Sequence, residues 1–494
     1  MNRLVAVLAA FVLLAAAPSQ NKVRVVTGKA VSRVPLNGRM LIFVQPAHGA
    51  KPDALDPGFV AGGFTIAGFD VAAPAGSSIA VPASATSFPQ PLAKLAPGTY
   101  DMQAILDVDH MYSYDGIRGG DLMGPVQRVH VSGTTTVTLM LDRQVPRKTP
   151  VSTGDVKIVD IVSPSLSKFH GHAVHLRASV VLPPGYDARK NYPIVYVQNG
   201  FGGSYLSGFR MAKRLRSMAV ADGLTAIFVV TDSTGRTGIT QFADSATNGP
   251  WGHALVAELI PAIESRFSVD RRPERRFLWG HSSGGWASIW LQVTYPNVFG
   301  GAWGSSPDPV DFHDFTGPDL LASPPDNAYY DRYGRPWQLV RMGTKNVMTL
   351  RDFVLSSDAE GYDESQFGSF DAVFSPRAAN GKPVPLFDHK TGKVDPAVVA
   401  YWEAHYDIAS IIERNYVALA PSLQHKLHIA VGTLDTFHLE RGVLRLDSRL
   451  RRLGMVPEIT YFPNASHFSL FTPAQNFEGY HWAFRGMAAA ARRP

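Results

Sequence analysis

The apolar positions between residues 22 and 143 fall into short β-like runs separated by Gly, Pro and Ser. The segment 134–141 alternates threonine with apolar residues over part of its length, which is the two-residue period of a half-buried strand. Similar runs cover 40–44, 99–106 and 126–131, and no helical periodicity of useful length interrupts them. The pattern therefore predicts a small all-β, sandwich-like domain over 22–143.

The pattern changes after residues 144–151, whose prolines and polar side chains are typical of a linker. Continuous apolar runs such as 194–197 and 226–230 indicate strands covered on both faces, and they alternate with segments of helical spacing. We therefore predict a larger α/β domain over 152–490, built on a doubly wound, mostly parallel sheet. An aromatic, proline-rich insertion at about 306–397 interrupts it and is expected to cap the site. Its aromatic side chains would form either a substrate pocket or a small packed subdomain.

The N-terminal segment 1–20 has the pattern of an export signal. A short positive region is followed by fourteen almost unbroken apolar residues, 4–17, which are too few to span a bilayer comfortably as a permanent helix. An uncleaved anchor is the alternative. The chain contains no cysteine, which excludes disulfides, thiolate metal sites and a lipid-modified cysteine. We expect a bacterial protein that is exported to the periplasm or secreted, with no integral membrane span after signal removal.

Composition further narrows the class of protein. The 494 residues are enough for two domains, and 45% apolar residues suit a globular protein with a sizeable core. The charged fraction of 18% lies below the usual value of about 25%, which argues against a disordered chain. The net charge of +6 is scattered along the chain, without a basic stripe interleaved with aromatics. Nucleic acid is therefore not an expected partner.

Ser282 lies in the most informative motif of the chain. An apolar run leads into Gly280-His281-Ser282-Ser283-Gly284, the G-x-S-x-G pattern, and helix-compatible residues follow. A serine at the tip of a sharp strand-to-helix turn has strained backbone angles, and side chains two residues to either side would collide across that turn. The pattern predicts that Ser282 is a nucleophile; a structural glycine turn is the alternative.

A nucleophilic serine needs a base to accept its proton and a carboxylate to orient that base. In open α/β sheets such groups stand on loops at the C-terminal ends of strands, and after a G-x-S-x-G nucleophile the acid and then the histidine follow along the chain. Asp435 follows a predicted strand ending at Val431, and His467 follows one ending at Phe462. We therefore predict Asp435 as the acid and His467 as the base. The alternatives are a helix N-cap for Asp435 and a surface or structural histidine for His467.

Four other side chains are weaker candidates. Glu440 and Asp447 fall inside a predicted helix, His438 is too close to Asp435 in sequence to be oriented by it, and His481 lies in the last helix.

An oxyanion hole requires two backbone amides that point at the developing charge. Ser283 supplies one. The second is expected from the glycine-rich loop Asn199-Gly200-Phe201-Gly202-Gly203, which directly follows a predicted central strand. The Phe201 amide is favoured, with Gly202 second; a plain glycine turn is the alternative.

The segment 192–203 together with Gly280-His281-Ser282-Ser283-Gly284-Gly285 resembles the putative-esterase branch of the α/β-hydrolases, which includes esterase D, feruloyl esterases, enterochelin esterases and mycolyltransferases. The strand exit at 181–187 resembles that branch too, and the resemblance covers about residues 152–490. Many members have histidine at the position of Asn199. The resemblance implies an α/β-hydrolase fold and ester chemistry without fixing a substrate.

The motifs together predict an exported serine esterase that hydrolyses a small-molecule or polymer-linked ester through an acyl-enzyme intermediate. The chain has no H-E-x-x-H, EF-hand or dinucleotide-binding motif, so no cofactor and no metal is implied. Two other functions stay open: an acyltransferase that uses the same triad, and a catalytically inactive hydrolase-fold binding protein. The N-terminal β domain is as well suited to packing on the hydrolase domain as to binding a ligand.

Overall fold

The computed structural model describes residues 20–58 and 63–493. The predicted export signal therefore lies outside the described residues, apart from residue 20. Among the residues described, we find no helix that combines the length and the apolar character needed to cross a membrane.

The N-terminal region is all-β apart from single helical turns. Its strands form a seven-stranded antiparallel sheet and a three-stranded sheet, in which β1 and β9 pair in parallel. One apolar core is shared by the two sheets, with Val25, Met40 and Leu139 among its buried side chains. The elements are β1 Lys22–Thr27, β2 Leu36–Pro46, β3 Thr65–Ala73, β4 Ile79–Ala80, β5 Thr86–Phe88, β6 Gly98–Asp107, α1 Tyr112–Asp115, β7 Leu122–Met123, β8 Gln127–Val131, β9 Thr136–Leu141 and β10 Arg143–Gln144.

The region from residue 156 onward is built on an eight-stranded sheet. Its order is β11-β12-β14-β13-β19-β20-β23-β24, and the six strands from β14 to β24 run parallel. The edge strand β11 pairs antiparallel with β12, and β12 pairs antiparallel with β14. Short two-stranded hairpins lie outside this sheet. The strands are β11 Val156–Val162, β12 His175–Val181, β13 Ile194–Gln198, β14 Ile227–Thr231, β15 Thr234–Gly235, β16 Gly238–Ile239, β17 Asp244–Ser245, β18 Gly249–Pro250, β19 Arg276–His281, β20 Gly301–Ser305, β21 Gln338–Met342, β22 Lys345–Thr349, β23 Leu427–Gly432 and β24 Glu458–Phe462.

Helices cover both faces of this sheet, which explains the continuous apolar strands. In β13, Ile194 and Tyr196 face the core formed with α5, α6 and α12, whereas Val195 and Val197 face the core formed with α3 and α13. The fold class predicted from the sequence is confirmed. The helices are α2 Pro164–His170, α3 Ser207–Ala221, α4 Trp251–Ala254, α5 Ile260–Glu264, α6 Ser283–Thr294, α7 Leu350–Glu360, α8 Gln366–Phe374, α9 Pro396–His405, α10 Ile408–Arg414, α11 Tyr416–Leu423, α12 Glu440–Arg452 and α13 Glu478–Ala490.

The aromatic residues between β20 and α9 pack mainly against one another and against the core of the eight-stranded sheet. Phe315, Phe367 and Phe370 form edge-to-face ring contacts at 5.5–6.2 Å, and all three side chains are buried. Of the two arrangements considered from the sequence, the packed subdomain is the one observed for these rings.

The insertion also contacts the N-terminal region directly. The Arg39 guanidinium on β2 donates to the carbonyl oxygens of Asp358 (3.0 Å) and Ala359 (3.1 Å), at the C-terminal end of α7. Because Leu355 and Ala359 join an apolar cluster with Phe43 of β2, this contact combines apolar packing with hydrogen bonds.

Candidate active site

Ser282 stands between the end of β19 and the start of α6 with φ 60° and ψ −127°, a backbone conformation that L-residues rarely adopt. A Cβ on Gly284 would overlap the carbonyl oxygens of Gln198 and Asn199, and one on Gly280 would overlap the carbonyl of Gly284. Both flanking glycines are therefore required by close backbone approach, as expected for a nucleophile elbow.

Asp435 and His467 come together although 32 residues separate them. The first lies between β23 and α12, and the second follows β24, so parallel neighbouring strands deliver both loops to the same sheet edge. Nδ1 of His467 lies 2.9 Å from Oδ2 of Asp435, and both side chains are buried. The other carboxylate oxygen, Oδ1, accepts from the amide of Phe437 at 2.9 Å. Asp435 thus binds the imidazole and also stabilises the turn before α12.

His467 lies beside the end of the strand that carries Ser282. Its ring centroid is 4.4 Å from that of His281, the residue directly before the serine. On its other sides the ring meets Phe437 at 4.9 Å and Phe468 at 5.0 Å, both edge to face. Nδ1 is directed to Asp435, which leaves Nε2 as the nitrogen available to a reacting group.

The loop 199–203 packs against the nucleophile turn. A Cβ built on Gly200 would lie 3.1 Å from the carbonyl oxygen of His281 and 3.4 Å from Cβ of Ser282. Asn199 anchors the loop by donating through Nδ2 to the carbonyl of Thr231 at 2.7 Å. Phe201 and Gly202 follow Gly200 directly in this loop. The Ser283 amide is the first of α6 and so has no acceptor within the helix.

A buried carboxylate near these groups, Asp308, was not found from the sequence. Its amide lies 3.3 Å from the carbonyl oxygen of Ser282, and its Oδ2 accepts from Gln241 at 2.9 Å and from Gln366 at 3.3 Å. Gln366 also donates to Oγ of Ser283 at 3.1 Å. The insertion thus contributes a side chain beside the nucleophile. The sequence around Asp308, a proline-rich loop after β20, carries no motif that distinguishes it.

Three pKa shifts describe the electrostatics of the site. Burial alone would raise the pKa of Asp435, but the charge and hydrogen bond of His467 and the Phe437 amide hold it below its usual range. Burial, with the charge of His467, lowers the pKa of His281 to about 3, so this ring stays neutral. Burial raises the pKa of Asp308 to about 6, against the hydrogen bonds that favour its ionised form.

The weaker candidates have partners elsewhere. His481 pairs with Asp222 at 2.7 Å, and Nδ1 of His438 lies 3.2 Å from the guanidinium of Arg441. Glu440 forms an ion pair with Arg341 at 2.8 Å and Asp447 one with Arg451 at 2.6 Å.

Arg341, on β21 of the insertion, pairs with Glu440 and also contacts the loop that carries Asp435. Its Nε donates to the carbonyl oxygen of Asp435 at 2.8 Å, and its backbone amide donates to the carbonyl oxygen of Thr436 at 2.9 Å.

Within the described part of the chain, no group of three or more His, Cys, Asp or Glu side chains is arranged to hold a metal ion.

A serine on a strained strand-to-helix turn, above a mostly parallel sheet and beside a buried Asp–His pair, defines the α/β-hydrolase class. Residues 174–352 match the family model for esterases, described as Putative esterase. This match to an esterase family model agrees with the resemblance to the esterase branch drawn from the sequence.

One curated relative is an endo-1,4-beta-xylanase/feruloyl esterase of Xylanibacter ruminicola, 28% identical over 163 residues. The match covers 31% of this chain and only 22% of that protein. Similar solved structures include an S-formylglutathione hydrolase from Agrobacterium tumefaciens, with 16% identity, a TM-score of 0.38 and coverage of 68% of this chain and 96% of that one. Another is a ferulic acid esterase from Anaeromyces mucronatus, with 14% identity, a TM-score of 0.34 and coverage of 69% and 94%.

Proposed function

We propose that this protein is an exported serine esterase that hydrolyses carboxylic esters through an acyl-enzyme intermediate. Ser282 is the nucleophile, His467 the general base and then general acid, and Asp435 the residue that orients the imidazole. The observation that carries the proposal is the 2.9 Å contact between the buried Asp435 and His467, beside a serine held in a strained elbow.

The proposed chemistry follows from the orientation of the imidazole. Asp435 accepts a hydrogen bond from Nδ1–H, which keeps Nε2 unprotonated and free to take the hydroxyl proton of Ser282 as Oγ attacks the ester carbonyl. The tetrahedral intermediate then expels the alcohol, which receives that proton from Nε2. Water attacks the acyl-enzyme by the same route in reverse and releases the acid. Because neutral imidazole is the base, turnover is expected to fall on the acid side of the pH profile.

The negative charge on the intermediate would be stabilised by backbone amides. Ser283, as the first residue of α6, offers an amide without an intrahelical acceptor, and the positive end of the helix dipole adds to it. The loop next to Ser282 offers the second amide, from Phe201 or Gly202. Gly202 adopts φ 76°, which makes that turn possible without steric strain.

The surroundings of His467 indicate which esters to test first. Phe437 and Phe468 stand edge to face against its ring, and 51% of the Phe468 side-chain surface is exposed. Aromatic rings beside the base suit an aryl or hydroxycinnamoyl group. The curated relative from Xylanibacter ruminicola is named as a feruloyl esterase. We therefore infer an aromatic ester as the first substrate class.

The decisive experiment compares wild type with Ser282→Ala on a panel from short aryl esters to feruloyl, acetyl-sugar and long-chain esters. The variant is expected to lose several powers of ten in kcat, and a fluorophosphonate probe should label wild type but not the variant. Ser217→Ala is the matched control, since that hydroxyl only donates to the carbonyl of Lys213 within α3.

Retained turnover in Ser282→Ala would overturn the proposal. Absence of both labelling and turnover in wild type would support the binding-protein alternative. Product analysis with an added alcohol distinguishes acyl transfer from hydrolysis, because only transfer yields the new ester.

A further inference from the structure

The loop that would supply the second oxyanion amide is held by a side chain from the other region of the molecule. The phenol of Tyr114, on the single-turn helix α1, donates to the carbonyl oxygen of Gly203 at 2.7 Å. Its ring also meets that of Phe201 edge to face, with centroids 4.9 Å apart. A residue 89 positions earlier in the chain thus contacts both the backbone and a side chain of this loop.

The contact is close and enclosed. Only 3% of the Tyr114 surface is exposed, and Met111 and Ile239 complete a small apolar cluster around it with Phe201. A Cβ on Gly202 would lie 2.9 Å from the backbone carbonyl oxygen of Tyr114, so the loop rests directly on the α1 turn. Burial raises the pKa of Tyr114 above its usual range, so the phenol stays protonated and remains a donor.

The α1 turn is itself fixed to the β core of the N-terminal region. The carboxylate of Asp107, at the end of β6, accepts from the amides of Met111 at 3.1 Å and Tyr112 at 2.8 Å. Asp107 is buried, and the ring of Tyr112 packs on that of Phe43 in β2 at 5.2 Å. The phenol is therefore carried by a rigid support and not by a free loop.

The held loop has only weak local restraints of its own. Its closing backbone hydrogen bond runs from the Gly203 amide to the Gly200 carbonyl at 3.0 Å, and Asn199 anchors its first residue. Glycine at three of its five positions leaves the backbone many alternative conformations. An oxyanion hole works only when its donors are preorganised, so a restraint on this loop affects the transition state more than the bound substrate.

We propose that Tyr114 of the N-terminal β region is a positioning residue for the oxyanion loop, so that the β region completes the active site of the hydrolase region. This inference rests on the proposed function. Tyr114 acts through Gly203 and Phe201, and it needs no contact with the ester.

The test uses the full-length protein with Tyr114→Phe, Tyr114→Ala and the control Tyr100→Phe. Tyr100 donates to the Ala96 carbonyl at 3.0 Å within the same β region, so its variant loses an equivalent hydrogen bond away from the oxyanion loop. End-point titration with a fluorophosphonate counts the competent sites, and kcat and KM are measured per titrated site on an aryl ester. Thermal unfolding shows whether each variant is folded.

Tyr114→Phe is expected to lower kcat by about 5- to 10-fold, the scale of one hydrogen bond. Tyr114→Ala, which also loses the ring contact with Phe201, should lower it about 100-fold. KM should change less than about twofold in both, because the loss falls on the transition state. The Ki of a trifluoromethyl ketone, whose adduct places an oxyanion in the hole, should rise by the same factor as kcat/KM falls. Tyr100→Phe should match wild type.

A purely structural role for Tyr114 predicts fewer titratable sites with an unchanged kcat per site, and that result would overturn the inference. Equal kcat per site in wild type and both Tyr114 variants would do so as well, while leaving the proposed esterase function intact. Loss of the proposed function itself is recognised separately, by retained turnover in Ser282→Ala or by a wild type that neither labels nor turns over esters.

Discussion

The two sides of the candidate site are supported by different parts of the chain. On the acid–base side, formed by Asp435 and His467, both loops belong to the hydrolase sheet and are braced by Arg341 of the insertion. On the proposed oxyanion side, which consists of the Ser283 amide and the loop 199–203, the contact comes from Tyr114 of the N-terminal region. The proposed chemistry at one sheet edge would therefore depend on two separate additions to that sheet.

The difference has a physical origin. The acid–base side is held by a charge-assisted contact between two buried side chains, which fixes an orientation by itself. The oxyanion side consists of backbone amides in a glycine-rich loop, whose direction has to be fixed by neighbours. We infer that the N-terminal region matters most for the side whose own residues restrain it least.

The largest effect is expected from Asp435→Asn, which breaks only the acid–base side. The neutral amide no longer fixes the Nδ1–H tautomer or stabilises an imidazolium, so kcat should fall by about 10³- to 10⁴-fold. Steady-state kinetics on an aryl ester measure it. Asp447→Asn is the matched control, because that carboxylate pairs with Arg451 on the surface of α12. Activity within tenfold of wild type would show that Asp435 is not the orienting acid.

A double variant that combines Asp435→Asn with Tyr114→Phe tests whether the two sides of the site are supported independently. If the two sides are supported independently, the losses in kcat multiply to within about twofold. A double variant no slower than Asp435→Asn would mean that both residues support one and the same element.

A smaller, pH-dependent effect is expected from Asp308→Asn, between the two sides. The pKa of Asp308 is raised to about 6, so its carboxyl is neutral below that pH and charged above it, where it favours a positive charge on nearby His467. The ratio of wild-type to variant kcat/KM should be close to one at pH 5 and about 3- to 10-fold at pH 8. The control is Asp314→Asn, a carboxyl whose pKa is also raised to about 6 but which lies beside Arg441. A ratio that does not change with pH would contradict the electrostatic role.

The smallest effect is expected on stability, from a change at Glu360 in the interface between the N-terminal region and α7. Burial raises the pKa of Glu360 to about 7, from the ordinary 4.5, and its Oε2 accepts from Ser113 at 3.3 Å. A raised pKa means that the folded state binds the proton more tightly than the unfolded state. The resulting contribution to the free energy of unfolding is complete below about pH 4.5 and is lost as the pH rises through 7.

Glu360→Gln imitates the protonated form. Its free energy of unfolding should equal that of wild type at pH 4.5 and exceed it at pH 8 by on the order of 2 kcal/mol. Urea unfolding at the two pH values measures the difference. Glu403→Gln, on the exposed face of α9 and 3.8 Å from Arg414, should show no such divergence. A Glu360→Gln variant less stable than wild type at pH 8 would contradict a raised pKa of Glu360.

Much of the site was predictable because it obeys local rules. Gly280 follows from a contact within a few residues of Ser282, because a Cβ there would overlap the Gly284 carbonyl, whereas Gly284 itself is required by the carbonyls of Gln198 and Asn199. The apolar run of β13 reflects its two covered faces. Asp435 and His467 were predicted from their positions after successive strands, and the structure has them in contact. Asn199 holds its loop by donating to the carbonyl oxygen of Thr231.

Asp308 and Tyr114 were not predictable in this way. Each is an unremarkable residue of a loop or a single helical turn, and its partners lie far away in the sequence: Gln241 and Gln366 for Asp308, Gly203 for Tyr114. No periodicity or spacing encodes such pairs. The division of the insertion's aromatics into packed core and possible pocket was equally open, because burial depends on what covers them.

The sequence by itself determined the elbow at Ser282, the parallel sheet beneath it and the strand ends that carry the acid and the base, because sterics and side-chain periodicity act over short distances along the chain. The tertiary structure alone decided that an N-terminal tyrosine, an arginine of the insertion and a buried carboxylate surround these groups. Those contacts depend on how separate regions pack against one another, and packing brings together residues that share no local pattern.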